Sequence, residues 1–133
     1  MKRCIFAAGL VLALVSPVSV AGDFVNGEAL KQAFCGKTFM GENVIGKGST
    51  FKVYYPEKCD ELMQHYLTGS NAGQTVTWAL RISPSGDHCV THDGNEKCAQ
   101  FILGKDGVYQ AMRDGKVIFT RHNPANGNHL NDR

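Results

Sequence analysis

The sequence predicts an all-β fold: an antiparallel up-and-down meander that closes into a small barrel of about eight strands behind a short N-terminal helix. Three observations carry this. From position 37 onward, apolar residues recur with a period of two. The candidate strands are separated by tight turns rich in Gly, Asp and Pro, with no room for crossover helices, so successive strands pair as hairpins. The third is the stretch Cys89-Val-Thr-His-Asp-Gly-Asn-Glu-Lys-Cys98. Asp93-Gly94 at its centre signals a two-residue hairpin, because a type I′ turn needs positive φ at both central residues. Counting outward, His92 faces Asn95, Thr91 faces Glu96, Val90 faces Lys97 and Cys89 faces Cys98. If 92/95 is the hydrogen-bonded pair that closes the turn, 89/98 is a close pair with Cα atoms about 4.5 Å apart, within the span of a disulfide.

Residues 1–21 read as a segment separate from the barrel. Lys2 and Arg3 precede an apolar run, 5–15, that is too short to span a bilayer. Ser19-Val20-Ala21 places small residues where a signal peptidase reads. This is the pattern of a secretory signal peptide, with a mature chain from Gly22. Cys4 lies before the apolar run and leaves with it. The whole chain has 14 Lys+Arg and 12 Asp+Glu, so loss of Lys2 and Arg3 leaves a formal charge of zero. With no concentrated basic patch, a nucleic-acid partner is not expected. Four cysteines remain, an even number that reads as a disulfide framework in an exported domain. The hairpin register selects Cys89–Cys98, and elimination leaves Cys35–Cys59. The expected location is periplasmic or secreted, with no membrane span after cleavage.

Within residues 22–122, Asn26 can cap a helix whose apolar stripe is Leu30, Ala33 and Phe34, with Gly36 just beyond its end. Residues 37–42 form a first strand. In the next, Phe51, Val53 and Tyr55 share one face and Pro56 ends it. Residues 59–69 fit either a helix, from the spacing of Cys59, Leu62, Met63 and Tyr66, or a strand from 61 to 68. Strands on both sides favour the strand. Residues 74–83 alternate most regularly, with Val76, Trp78, Leu80 and Ile82 on one face. Trp78, the only tryptophan, is expected as a core anchor because its large apolar area dominates packing where it is buried. The cystine hairpin follows, its return strand running to Leu103. Strands 108–113 and 116–122 meet at a second Asp-Gly turn, Asp114-Gly115. Residues 123–133 have little to bury and read as a flexible tail.

Gly36-Lys37-Thr38, the strand end Tyr54-Tyr55-Pro56, Trp78 and the Cys89…Cys98 hairpin together resemble a family of small exported bacterial β-barrel proteins filed as a domain of unknown function. The likeness covers most of residues 30–120. The chain departs from it where Val76 replaces a Gly two residues before Trp78, and in adding Cys35 and Cys59. The resemblance implies a barrel and export, and no activity.

No catalytic constellation is present: the sequence lacks Gly-x-Ser-x-Gly, His-Glu-x-x-His, Cys-x-x-Cys and a phosphate-binding Gly loop. His65, His88, His92, His122 and His129 read as solvated turn residues. His88 and His92, four apart on one strand, stand about 13 Å from each other, too far to share a metal directly. Asp87, Asp93, Asp106 and Asp114 are turn aspartates. No enzyme activity, metal or cofactor is expected. The expected function is non-catalytic binding, as an inhibitor-type module that meets a protein partner of unknown identity through loops and the N-terminal arm. Candidate interface residues are Phe24 and Val25 in the arm and Val44 and Ile45 in the 43–50 loop. The alternative is a lipocalin-like carrier with a small apolar ligand inside the barrel. An interior filled by Phe51, Val53, Trp78 and Leu80 favours the first. A cavity on the order of a few hundred Å³ favours the second.

Overall fold

Alternating side chains generate eight strands, and their order along the chain is their order around the sheet. The computed structural model describes residues 23–46 and 48–132. It contains α1 (Gly27–Phe34), β1 (Lys37–Asn43), β2 (Thr50–Tyr55), β3 (Glu61–Tyr66), β4 (Thr75–Ile82), β5 (His88–His92), β6 (Asn95–Leu103), β7 (Tyr109–Arg113) and β8 (Lys116–Asn126). Each strand pairs antiparallel with the next, and β8 returns to β1 to close the barrel. The ambiguous 59–69 segment forms strand β3. The expected signal peptide lies outside the described residues.

The cystine hairpin has the register that its turn dictates. Asp93 and Gly94 have φ of 50° and 78°. His92 pairs with Asn95, and Cys89 with Cys98. The Cα atoms of Cys89 and Cys98 are 4.0 Å apart and their sulfurs are bonded. Cys35–Cys59 forms as well, tying the end of α1 to the β2–β3 turn. On the chain-entropy account a bridge contributes more when it closes a longer loop. Cys35–Cys59 spans 24 residues and Cys89–Cys98 spans 9. Replacing the first pair by Ala should therefore cost about 3.5 kcal/mol and the second about 2.7 kcal/mol. Urea unfolding of the two double variants checks the order, and a clearly larger loss from the 89/98 pair would overturn it.

Helix α1 stoppers one end of the barrel. The Asn26 side chain accepts the Ala29 N–H at 2.9 Å, capping the helix. Gly27 donates its N–H to Pro84 O, and a Cβ here would lie 2.0 Å from Ser83 O, so the helix can start against the β4–β5 turn only with glycine. Leu30 and Phe34 are fully buried. The Phe34 ring lies 4.8 Å from Phe39 and 5.0 Å from each of Tyr55, Phe101 and Tyr109, centroid to centroid. Those four rings come from β1, β2, β6 and β7 where these strands converge below the helix. Val53, Leu62, Leu80 and Ile82 extend the core.

Two expectations are corrected here. The 123–133 segment does not form a flexible tail from its start. β8 continues to Asn126, and its register against β1 shifts between Thr38 and Met40, whose partners are Ala125 and His122. Asn123, at φ 53°, and Pro124 fall in this bulge, where a proline's missing N–H costs no ladder bond. Beyond it, Thr38 Oγ1 donates to Gly127 O and accepts from His129 N, and Leu130 is buried. Trp78 is the second. It faces inward, yet it is only half-buried and packs against the edge of the core. Its strand reaches beyond the filled layer, where the interior is empty.

Candidate functional site

The barrel interior is filled at the α1 end and hollow at the other. The hollow is a cavity of about 200 Å³. Leu62 and Ala99 lie at its inner end, Phe51, Val90 and Phe119 form its walls, and Ile45, Trp78, Lys97 and Arg113 stand around its mouth. The Trp78 indole N–H donates to His92 Nδ1 at 3.1 Å, which fixes the ring beside the opening. A second recess, lined by the exposed His92, Asp93 and Asn95, adjoins the mouth and shares Trp78, Val90 and Lys97 with it.

The floor is polar. Arg121, on β8, is 2% exposed. Its Nε donates to Tyr55 Oη at 3.1 Å, and the Tyr55 hydroxyl lies 2.9 Å from His88 Nε2. Arginine can only donate. Tyr55 oxygen therefore accepts from Arg121, and the same hydroxyl shares a hydrogen bond with His88 Nε2. Burial, reinforced by the positive charge of Arg121, pushes His88 from 6.5 down to about 3, so it is neutral at any ordinary pH. Burial pushes the Tyr55 hydroxyl up, while Arg121 pulls the other way. Phe34, Phe101 and Phe119 close in around His88. Gly41 leaves room for this layer: a Cβ there would lie 2.4 Å from the Phe51 ring and 2.6 Å from Thr120 O.

Arg121 is not neutralised. No acidic side chain pairs with it among the described residues. Withdrawing a guanidinium from water costs several kcal/mol. The rings of Phe51 and Phe119, at 5.1 and 4.3 Å from its central carbon, return about 2 kcal/mol each. Nε bonds to Tyr55 and Nη1 to the Thr120 carbonyl. The other N–H groups of its fork have no acceptor among the described residues. Gln64, 4% exposed on the cavity wall, likewise has no side-chain partner among them. Among the described residues, the lining contains Arg121, Lys97 and Arg113 and no Asp or Glu. The cavity is thus cationic, deepest where it is driest, and holds unmatched donors at its floor.

The sequence-derived interface residues do not come together. Phe24 forms a bridge with Ile102, and Val25 donates its N–H to Phe101 O. The arm is therefore pinned at the α1 end and is not free. Val44 and Ile45 are half-exposed at the opposite end, where Ile45 joins the cavity mouth. His88 is not a solvated turn residue, because its strand position turns it into the core. The sequence reading missed Arg121, Tyr55, His88 and Gln64 as site residues. Phe119 and Arg121 stand two apart in a strand, and a cation in phase with an inward aromatic was the available signal. Among the described residues, Cys89, Glu96 and Cys98 cluster within 4.8 Å of one another. The two sulfurs are joined in a disulfide and Glu96 pairs with Arg81, so no thiolate is offered to a metal.

Fold and site define a class: a closed eight-stranded antiparallel barrel with a cationic cavity open at one end. No family model, curated protein or solved structure matches this chain. Among the described residues, no helix is long and apolar enough to cross a membrane.

Proposed function

We propose that this is a non-catalytic, exported binding protein that takes one small molecule into its barrel. The observation that carries this is the cavity of about 200 Å³ in a barrel stoppered at one end and open at the other. Export is supported by the leader-like 1–21 segment and by two disulfides, which persist in oxidising compartments. The cavity favours the carrier alternative over the protein-docking module expected first, whose two interface patches stand at opposite ends of the barrel. For scale, an engineered 150 Å³ apolar cavity in another protein accepts benzene. This one has room for a compact body somewhat larger than that, with more available if a tail leaves through the mouth.

Trp78 is a built-in reporter, since it stands at the mouth and is the only tryptophan. Titration with small amphiphiles should change its fluorescence saturably at one molecule per chain, and native mass spectrometry should show the same stoichiometry. A panel of acids, amides and alcohols with six- to ten-carbon bodies that moves neither the fluorescence nor the melting temperature would defeat the reading.

A further inference from the structure

We propose that the ligand is a compact monocarboxylate that enters apolar-body-outward and seats its carboxylate on Arg121. This rests on reading the cavity as a ligand site and adds the chemistry of its occupant. Three observations converge. Arg121 is a buried cation at the floor with open N–H donors and no acidic partner among the described residues. Gln64 adds a buried amide with no partner among the described residues in the same cavity. Among the described residues, the lining carries three cations and no carboxylate, while most of its remaining surface is aromatic or aliphatic. Such a cavity rewards a ligand with one negative end and an apolar body.

The form of the anion also follows. A guanidinium presents a planar fork of parallel N–H groups that matches the two oxygens of a carboxylate. Tyr55 holds Nε from one side, so the fork cannot swing away, and Tyr55 is in turn oriented by His88. Tyr55 and His88 are positioning residues here. Only one buried positive charge is available, because Lys97 is exposed and Arg113 only half-buried. A monoanion matches that charge, whereas a dianionic phosphate would leave a second negative charge in a dry site. Lys97 and Arg113 at the rim instead draw anions toward the mouth.

The test uses matched probes at pH 7.5 with the full mature chain: octanoate against octanamide, benzoate against benzamide, and phenyl phosphate. Calorimetry and Trp78 fluorescence read affinity. Each acid should bind at least thirty-fold more tightly than its amide, and more tightly than phenyl phosphate. Arg121→Met should abolish the acid–amide difference while still binding the amide. Lys97→Met with Arg113→Met should slow association and leave most of the preference in place. The acid–amide comparison in the unmodified protein decides the matter even if Arg121→Met does not fold. Equal binding of acid and amide, with Trp78 responding to both, overturns the carboxylate inference and leaves the cavity reading standing. Tighter binding of phenyl phosphate, or an acid preference lost in the rim variant and kept in Arg121→Met, also overturns it. Silence with every probe removes the cavity reading along with it.

Discussion

Phe34→Ala should destabilise the protein by about 3–5 kcal/mol, the range for deleting a fully buried phenylalanine. The ring has no solvent exposure and touches aromatic rings from four strands, so no single neighbour can collapse into the space it leaves. Its loss also weakens the docking of α1, because Leu30 would then be the only large fully buried side chain on the helix face. Phe24→Ala, at a half-exposed side chain on the same arm, should cost under about 0.5 kcal/mol. Urea denaturation of both variants checks this. A loss below about 1 kcal/mol from Phe34→Ala would mean that the helix is an ornament on a self-sufficient barrel.

The second large effect is acid instability centred on His88. The folded imidazole stays neutral down to about pH 3, whereas in the unfolded chain it takes up a proton near 6.5. Between those values the unfolded state binds more protons, so stability rises with pH there. The contribution is fully present above about pH 6.5 and is lost as pH falls toward 3. At 1.36 kcal/mol per pH unit the full loss is on the order of 5 kcal/mol. Burial makes protonation costly, and the positive Arg121 facing the ring beside Tyr55 adds to the cost. Carboxylates elsewhere also titrate in this range, so the informative quantity is the difference from His88→Gln. That variant keeps a hydrogen-bond acceptor and lacks the titration. Melting temperatures from pH 7.5 to 4 should fall more steeply for the unmodified protein. Parallel curves would place the acid sensitivity elsewhere.

The barrel was legible in the sequence because its information is local. Asp93-Gly94 and Asp114-Gly115 adopt positive φ at both residues, so two hairpins and one disulfide follow from counting outward from a turn. Asn26 and Gly36 bracket the helix for similarly local reasons. The candidate site was not legible. Arg121, Tyr55 and His88 stand on β8, β2 and β5, 33 and 66 residues apart in sequence across their hydrogen bonds. Only closure of the sheet brings them together. Trp78 misled because an apolar face predicts which way a side chain points and not how far along the barrel the packing continues. The 123–133 segment misled because its polar composition hides a bulge that preserves the β8 ladder.

The closure of β8 on β1 carries a consequence for how the molecule comes into being. Until the segment Lys116–Asn126 arrives, β1 and β7 are both free edges, and the sheet can neither complete its ring nor exclude water from its inner face. That closing contact joins distant parts of the chain, the class of pairing that makes folding slow and leaves partly formed sheets prone to association. Arg121 lies on that same final strand. A nascent chain therefore carries the residues of the helix, the cystine hairpin and most of the hydrophobic strands before it carries Arg121. The charge enters the interior in the step that seals it, so the cavity and its buried cation come into being together.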